Sequence, residues 1–126
     1  MTYEEFIAKV SERAGMSREQ AEVISRAVLE TLAERISGGE ADDLASLVPE
    51  PLRPSLQRSV RKPALSFGLS AFVDRARVRA GDPGWFTLDA VRAVLMTLRD
   101  AVGDKEFRDA LAQLPQEFEE ILRVTA

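Results

Sequence analysis

Arg26-Ala27-Val28-Leu29-Glu30-Thr31-Leu32 returns 66 residues later as Arg92-Ala93-Val94-Leu95-Met96-Thr97-Leu98, with six of the seven positions identical. The same shift carries Phe6 onto Phe72, Arg13-Ala14-Gly15 onto Arg79-Ala80-Gly81, Glu40 onto Glu106, Asp43 onto Asp109, Pro49 onto Pro115 and Leu56 onto Leu122. Of the 58 pairs from residues 3–60 to 69–126, 14 are identical, where random pairing gives about 3 to 4 at ordinary residue usage. Because the helix stops and prolines coincide as well, the chain reads as a duplicated unit of roughly four helices. A unit of that size seldom buries enough apolar surface to fold alone. The expected architecture is therefore an all-α bundle of about eight helices, built from two tandem repeats related by approximate two-fold symmetry. It forms one domain, with repeat one at 2–60, a linker at 61–65 and repeat two at 66–126.

Local signals place the helices. Thr2-Tyr3-Glu4-Glu5 and Ser17-Arg18-Glu19-Gln20 each have the form of a capping box, and Gly15 suits the left-handed residue that ends a helix. The second helix carries apolar residues over an arc from Val23 round to Leu29, too wide for a surface helix, and is read as running to a Gly38-Gly39 loop. Glu40, Asp42 and Asp43 then fall in the first turn of a short helix stopped by Pro49, and a fourth helix with Pro51 and Pro54 in its first turn is expected through Val60. The second half repeats this order with breaks at Gly81, Gly103 and Pro115. No segment alternates with period two between hairpin turns, so no strand is expected.

The opening Tyr3-Glu4-Glu5-Phe6, residues 26–35 with the following 38–44, and their second copy through Leu114-Pro115 resemble the bacterial family called domain of unknown function 2267. The resemblance spans nearly the whole chain and implies a small bacterial all-helical protein. It brings no catalytic residue, cofactor or substrate.

Composition narrows the chemistry. The 126 residues are 45% apolar and include neither Cys nor His, which excludes disulfides, thiol nucleophiles, thiolate or imidazole metal sites and histidine acid–base devices. Catalysis is disfavoured, and no catalytic, cofactor-binding or metal-binding residue is assigned. No apolar run approaches the roughly 18 to 20 residues needed to span a bilayer, and the acidic N-terminus is unlike a secretory signal, so a cytoplasmic location is expected. The net charge of −4 hides an uneven distribution. Residues 1–49 carry 5 basic and 10 acidic side chains, 50–80 carry 7 and 2, and 81–126 carry 5 and 9.

Two candidate surfaces follow. On the second helix of repeat one the polar face bears Glu19, Glu22, Arg26, Glu30 and Glu34; the equivalent places in repeat two hold Trp85, Leu88, Arg92, Met96 and Asp100. Three carboxylates have become Trp, Leu and Met beside an Arg, a composition favoured at interface centres. Trp85, Leu88, Arg92 and Met96 are accordingly the candidate protein interface, to an unidentified partner or a second copy, with coverage by the protein's own chain as the plainer alternative. Because Trp85 precedes the expected helix start at Thr87, Leu88 and Met96 carry more of that argument. The second candidate is the basic set Arg53, Arg58, Arg61, Lys62, Arg75 and Arg79, which suits phosphate but lacks interleaved aromatic platforms; its plain alternative is pairing with the acidic flanks. The carboxylates at 40–43 and 117–120 lack calcium-loop spacing, and with no histidine they lack di-iron spacing; a charged first turn and a solvated face account for them. Glu22 and Arg26 are expected to pair at i, i+4. The reading is a non-enzymatic interaction or scaffold module. Alternatives are a binder of nucleic acid or an anionic surface and, behind it, a carboxylate enzyme or apolar-ligand binder.

Overall fold

Threonine 2 opens the first helix as its sequence demands. In the computed structural model, which describes residues 1–57 and 64–123, the Thr2 hydroxyl accepts the Glu5 amide at 3.1 Å and the Glu5 carboxylate accepts the Thr2 amide at 3.0 Å. Helix α1 (Tyr3–Ala14) buries Phe6, Ile7 and Val10 and ends at Gly15, whose φ of 65° no β-carbon opposes. Ser17 and Gln20 close a second capping box on α2 (Arg18–Arg35). This helix buries residues on most of its circumference, from Ala21 to Ala33, and so lies at the centre of the bundle.

The other elements are α3 (Gly38–Ala45), a 3-10 turn Glu50–Leu52 continuing into α4 (Arg53–Leu56), α5 (Leu69–Arg79), α6 (Leu88–Val102), α7 (Asp104–Leu111) and α8 (Gln116–Arg123). There are eight α-helices and no strand among the described residues. Two expectations need correction. Gly38 and Gly39 are not a loop but the first turn of α3, because the Ser37 hydroxyl accepts the Glu40 amide at 3.2 Å while the Gln113 side chain accepts the Ser37 amide at 2.7 Å. The expected fourth helix is shorter than the reading to Val60: Pro51 and Pro54 withhold amide donors, leaving a 3-10 turn and one α turn that buries Leu52, Ser55 and Leu56. Val60 and most of the expected linker, with Arg58, Arg61 and Lys62, lie outside the described residues.

One apolar core joins both halves of the chain. The Phe72 ring of α5 meets the Phe118 ring of α8 edge to face, centroids 5.2 Å apart, and neither is exposed. Helix α1 packs along both α2 and α6, whereas α5 packs along α2 and only touches α6. Polar contacts cross the same joint in both directions. Arg13 of α1 donates to the Thr97 hydroxyl of α6 at 2.9 Å and pairs with Asp100 at 2.8 Å. Arg79 of α5 donates to the Thr31 hydroxyl of α2 at 2.9 Å and pairs with Glu34 at 2.5 Å. Each threonine can serve because its own proton goes back into its helix, Thr31 to the Ala27 carbonyl and Thr97 to the Ala93 carbonyl, both at 2.8 Å.

Candidate functional site

Helix α6 is amphipathic, and its outward arc carries Leu88 and Met96 where the first half carries Glu22 and Glu30. Leu88, Arg92 and Met96 stand four residues apart and form one stripe. Leu88 is 41% exposed and Trp85, in the turn before the helix, 37%. Met96 is half-buried against the core, so the chain itself partly covers it. Arg92 is half-buried too, and its Nε is shut off from solvent with no acceptor.

The first half shows what such an arginine lacks. Arg26 of α2 donates to the Tyr3 hydroxyl at 3.2 Å and lies 6.0 Å from the ring centre; Tyr3 donates in turn to Glu22 at 2.6 Å. Burial, then that bond to Glu22, pushes the Tyr3 phenol above its ordinary value. The expected Glu22–Arg26 pair is thus bridged through Tyr3, because Glu22 is also approached by Arg18 at 3.7 Å. In the second half, 66 residues on, Leu69 stands in the place of Tyr3 and Leu88 in that of Glu22. The start of α5 is held elsewhere, its Leu69 amide donating to the Glu117 carboxylate of α8. Arg92 therefore keeps neither the phenol nor the carboxylate.

A second feature arises where α3 meets α7. Glu40, Asp43 and Glu106 each place a carboxylate oxygen within 4.8 Å of the others, and Glu40 Oε1 and Glu106 Oε2 are buried without a hydrogen-bond donor. Burial first, then the charges of Glu106, Asp43 and Asp109, push the Glu40 carboxyl up to about 7. Chemically the group is a proton-sharing carboxyl cluster, and its oxygens are of the kind a hard divalent cation takes.

A family model described as an uncharacterized conserved protein, DUF2267, matches residues 3–121. The chain belongs to this family. Its description names no activity, ligand or partner, and no curated protein matches the chain.

Placement of the basic candidates on this member of the family is mixed. Arg79 holds Thr31 and Glu34 and comes within 3.9 Å of Glu30; Arg75 lies 3.8 Å from Glu34 with its guanidinium 4.4 Å from the Phe67 ring centre. These two cations are engaged with acidic α2. Arg53 is exposed in α4, far along the chain from Arg75 and Arg79. The carboxylate cluster, by contrast, is not among the sites the sequence suggests. Its signal is present in the 66-residue spacing, at which Glu40 is followed by Glu106 and Asp43 by Asp109, but only packing of α3 on α7 makes four such acids neighbours.

That packing has a measurable consequence. Folded Glu40 retains a proton up to about pH 7 that the unfolded chain releases near pH 4.5, so the folded state binds more protons in this window and stability falls as pH rises through it. Asp100 acts in the opposite sense at lower pH: burial alone would raise it, but Arg13 outweighs burial and holds it below its ordinary value. Thermal melts followed by circular dichroism should therefore show a lower Tm at pH 8 than at pH 6. Glu106→Gln should raise the pH 8 value by ~3 °C and flatten the slope, on the order of one pKa unit of relieved repulsion. An unaltered slope in that variant would show that the cluster does not titrate as described.

Proposed function

We propose that the chain is a non-enzymatic interaction module whose contact surface is the outward arc of α6, centred on Leu88 and Arg92. The observation that carries this is the half-buried Arg92 with an unsatisfied Nε beside exposed Leu88 and Trp85. The guanidinium has no acceptor within the described chain, and a partner carboxylate or carbonyl that meets its outer nitrogens supplies one, a charge-assisted bond of the stronger kind. Absence of His and Cys supports the non-enzymatic part. A bacterial cytoplasm is the setting this reading assumes.

Internal symmetry belongs to the same reading. Helices α5 and α7 begin 66 residues after α1 and α3, at Leu69 against Tyr3 and Asp104 against Gly38. The exchanged contacts Arg13–Thr97 and Arg79–Thr31 join equivalent positions in opposite order. Both support two copies of one unit, related by an approximate two-fold, whose divergence on α6 produced the contact surface. The alternative, an anionic partner at the basic stretch, is less well supported, since Arg75 and Arg79 already face Glu34.

Leu88→Glu tests the surface with little disturbance, because it installs at an exposed site the residue type that the first half carries as Glu22. Leu88→Glu should melt close to the parent, as surface changes do, and Leu88→Glu and Arg92→Gln should each weaken association by about tenfold or more. Association is read as partner recovery from native extract alongside mass in solution by light scattering. If both variants match the parent in both measurements, α6 is not a contact surface.

A further inference from the structure

Resting on that reading, we infer that the occupant of the α6 face is a second copy of this chain, with the two α6 helices packed antiparallel across a two-fold axis. Charge sets the register. Asp89 is exposed and Arg92 has a buried orphan Nε, and neither is engaged by another described residue. At about 100° per residue, Leu88, Arg92, Met96 and Asp89 lie at roughly 0°, 40°, 80° and 100° round the helix, so they share one arc. The opposite arc, carrying Ala90, Val91, Val94, Thr97 and Leu98, is buried in the chain's own core.

An antiparallel pair of helices related by a two-fold brings position i of one against position j of the other with i + j constant. Placing the axis between residues 90 and 91 sets Asp89 against Arg92 of the second copy, and Arg92 against Asp89 of the second copy. One registry thus makes two identical ion pairs and gives each Arg92 the acceptor that Tyr3 and Glu22 supply around Arg26 in the first half. It also brings the Trp85 end of one helix to the Met96 end of the other, an aromatic–thioether contact of favourable type. The first half offers no such match: the equivalent register would set Glu19 against Glu30 and Val23 against Arg26.

The area is small. A helix of 15 residues is about 22 Å long, and a single helix pair falls short of a standard-size interface, so the dimer should be weak.

Sedimentation equilibrium of the full chain between about 1 and 500 μM is the test. The parent should pass from monomer to dimer mass over this range. Asp89→Arg alone, and Arg92→Asp alone, should each weaken self-association at least tenfold. An equimolar mixture of the two single variants should restore it, because each crossing of a mixed dimer again sets an arginine against an aspartate, and so should the double swap D89R/R92D. Circular dichroism melts confirm that each variant is folded; Asp89 is exposed, so the Asp89→Arg arm stands even if Arg92→Asp unfolds. A parent that stays monomeric at 500 μM, or single variants that associate as the parent does, overturns the dimer. If the parent is monomeric but Leu88→Glu still abolishes recovery of another protein, the dimer fails while the interaction surface stands. If Leu88→Glu changes nothing, both fail.

Discussion

Replacing Phe118 with alanine is expected to destabilise the fold by about 3–5 kcal/mol. Phe118 is the main anchor of α8: its ring is fully buried and packs edge to face on Phe72, which is itself fully buried at the start of the second half. Truncation removes the transfer energy of the ring, leaves a cavity that a short terminal helix fills poorly, and strips Phe72 of its aromatic contact. Natural domains are stable by only about 5–15 kcal/mol, so this one change should remove a large share of the total. Urea unfolding followed by circular dichroism reads it as a lower midpoint. A loss below about 1 kcal/mol would mean that α8 does not belong to the cooperative core.

Arg79→Leu should cost about 2–3 kcal/mol, while Arg13→Leu, the equivalent change in the other half, should cost about 1 kcal/mol. Both arginines make the same set of contacts, a threonine hydroxyl and a carboxylate across the joint. They differ in burial. The Glu34 side chain is 11% exposed and that of Asp100 28%, so removing the cation from Glu34 leaves charge in a poorer solvent. Arg75, 3.8 Å from Glu34, limits the loss, which is why the figure stays below that for a fully isolated buried pair. Equal costs for the two variants, measured in the same denaturant series, would show that burial does not set the strength of these pairs.

Much of this architecture is legible in the residues alone. Both capping boxes form as their residues propose, Gly15 takes the left-handed conformation, and the wide apolar arc of the second helix marks it as central. Those are local rules, in which a hydroxyl, a carboxylate and an amide three residues away are held by the chain itself. The outcome differs from expectation where a distant group intervenes. Gly38-Gly39 has the composition of a loop, but Ser37 caps it into a helix with help from Gln113 of the other half. Glu22 and Arg26 have ideal spacing for a direct pair, but Tyr3 from α1 lies between them.

The candidate site divides along the same line. That Leu88 and Met96 stand 66 residues after Glu22 and Glu30 is readable in the sequence; that Leu88 stays exposed while Met96 turns half into the core is not. Arg75 and Arg79 read as a basic face until α5 is laid on acidic α2. By itself the sequence determined an all-helical chain and most of its helix ends, because caps, glycines, prolines and apolar period act within a few residues. Tertiary structure alone decided which charges meet across helices. Glu40 finds Glu106, Arg79 finds Glu34 and Arg92 finds no partner among the described residues, since these partners are set by packing between helices many residues apart, whereas spacing along the chain sets only local pairs such as Lys105–Asp109.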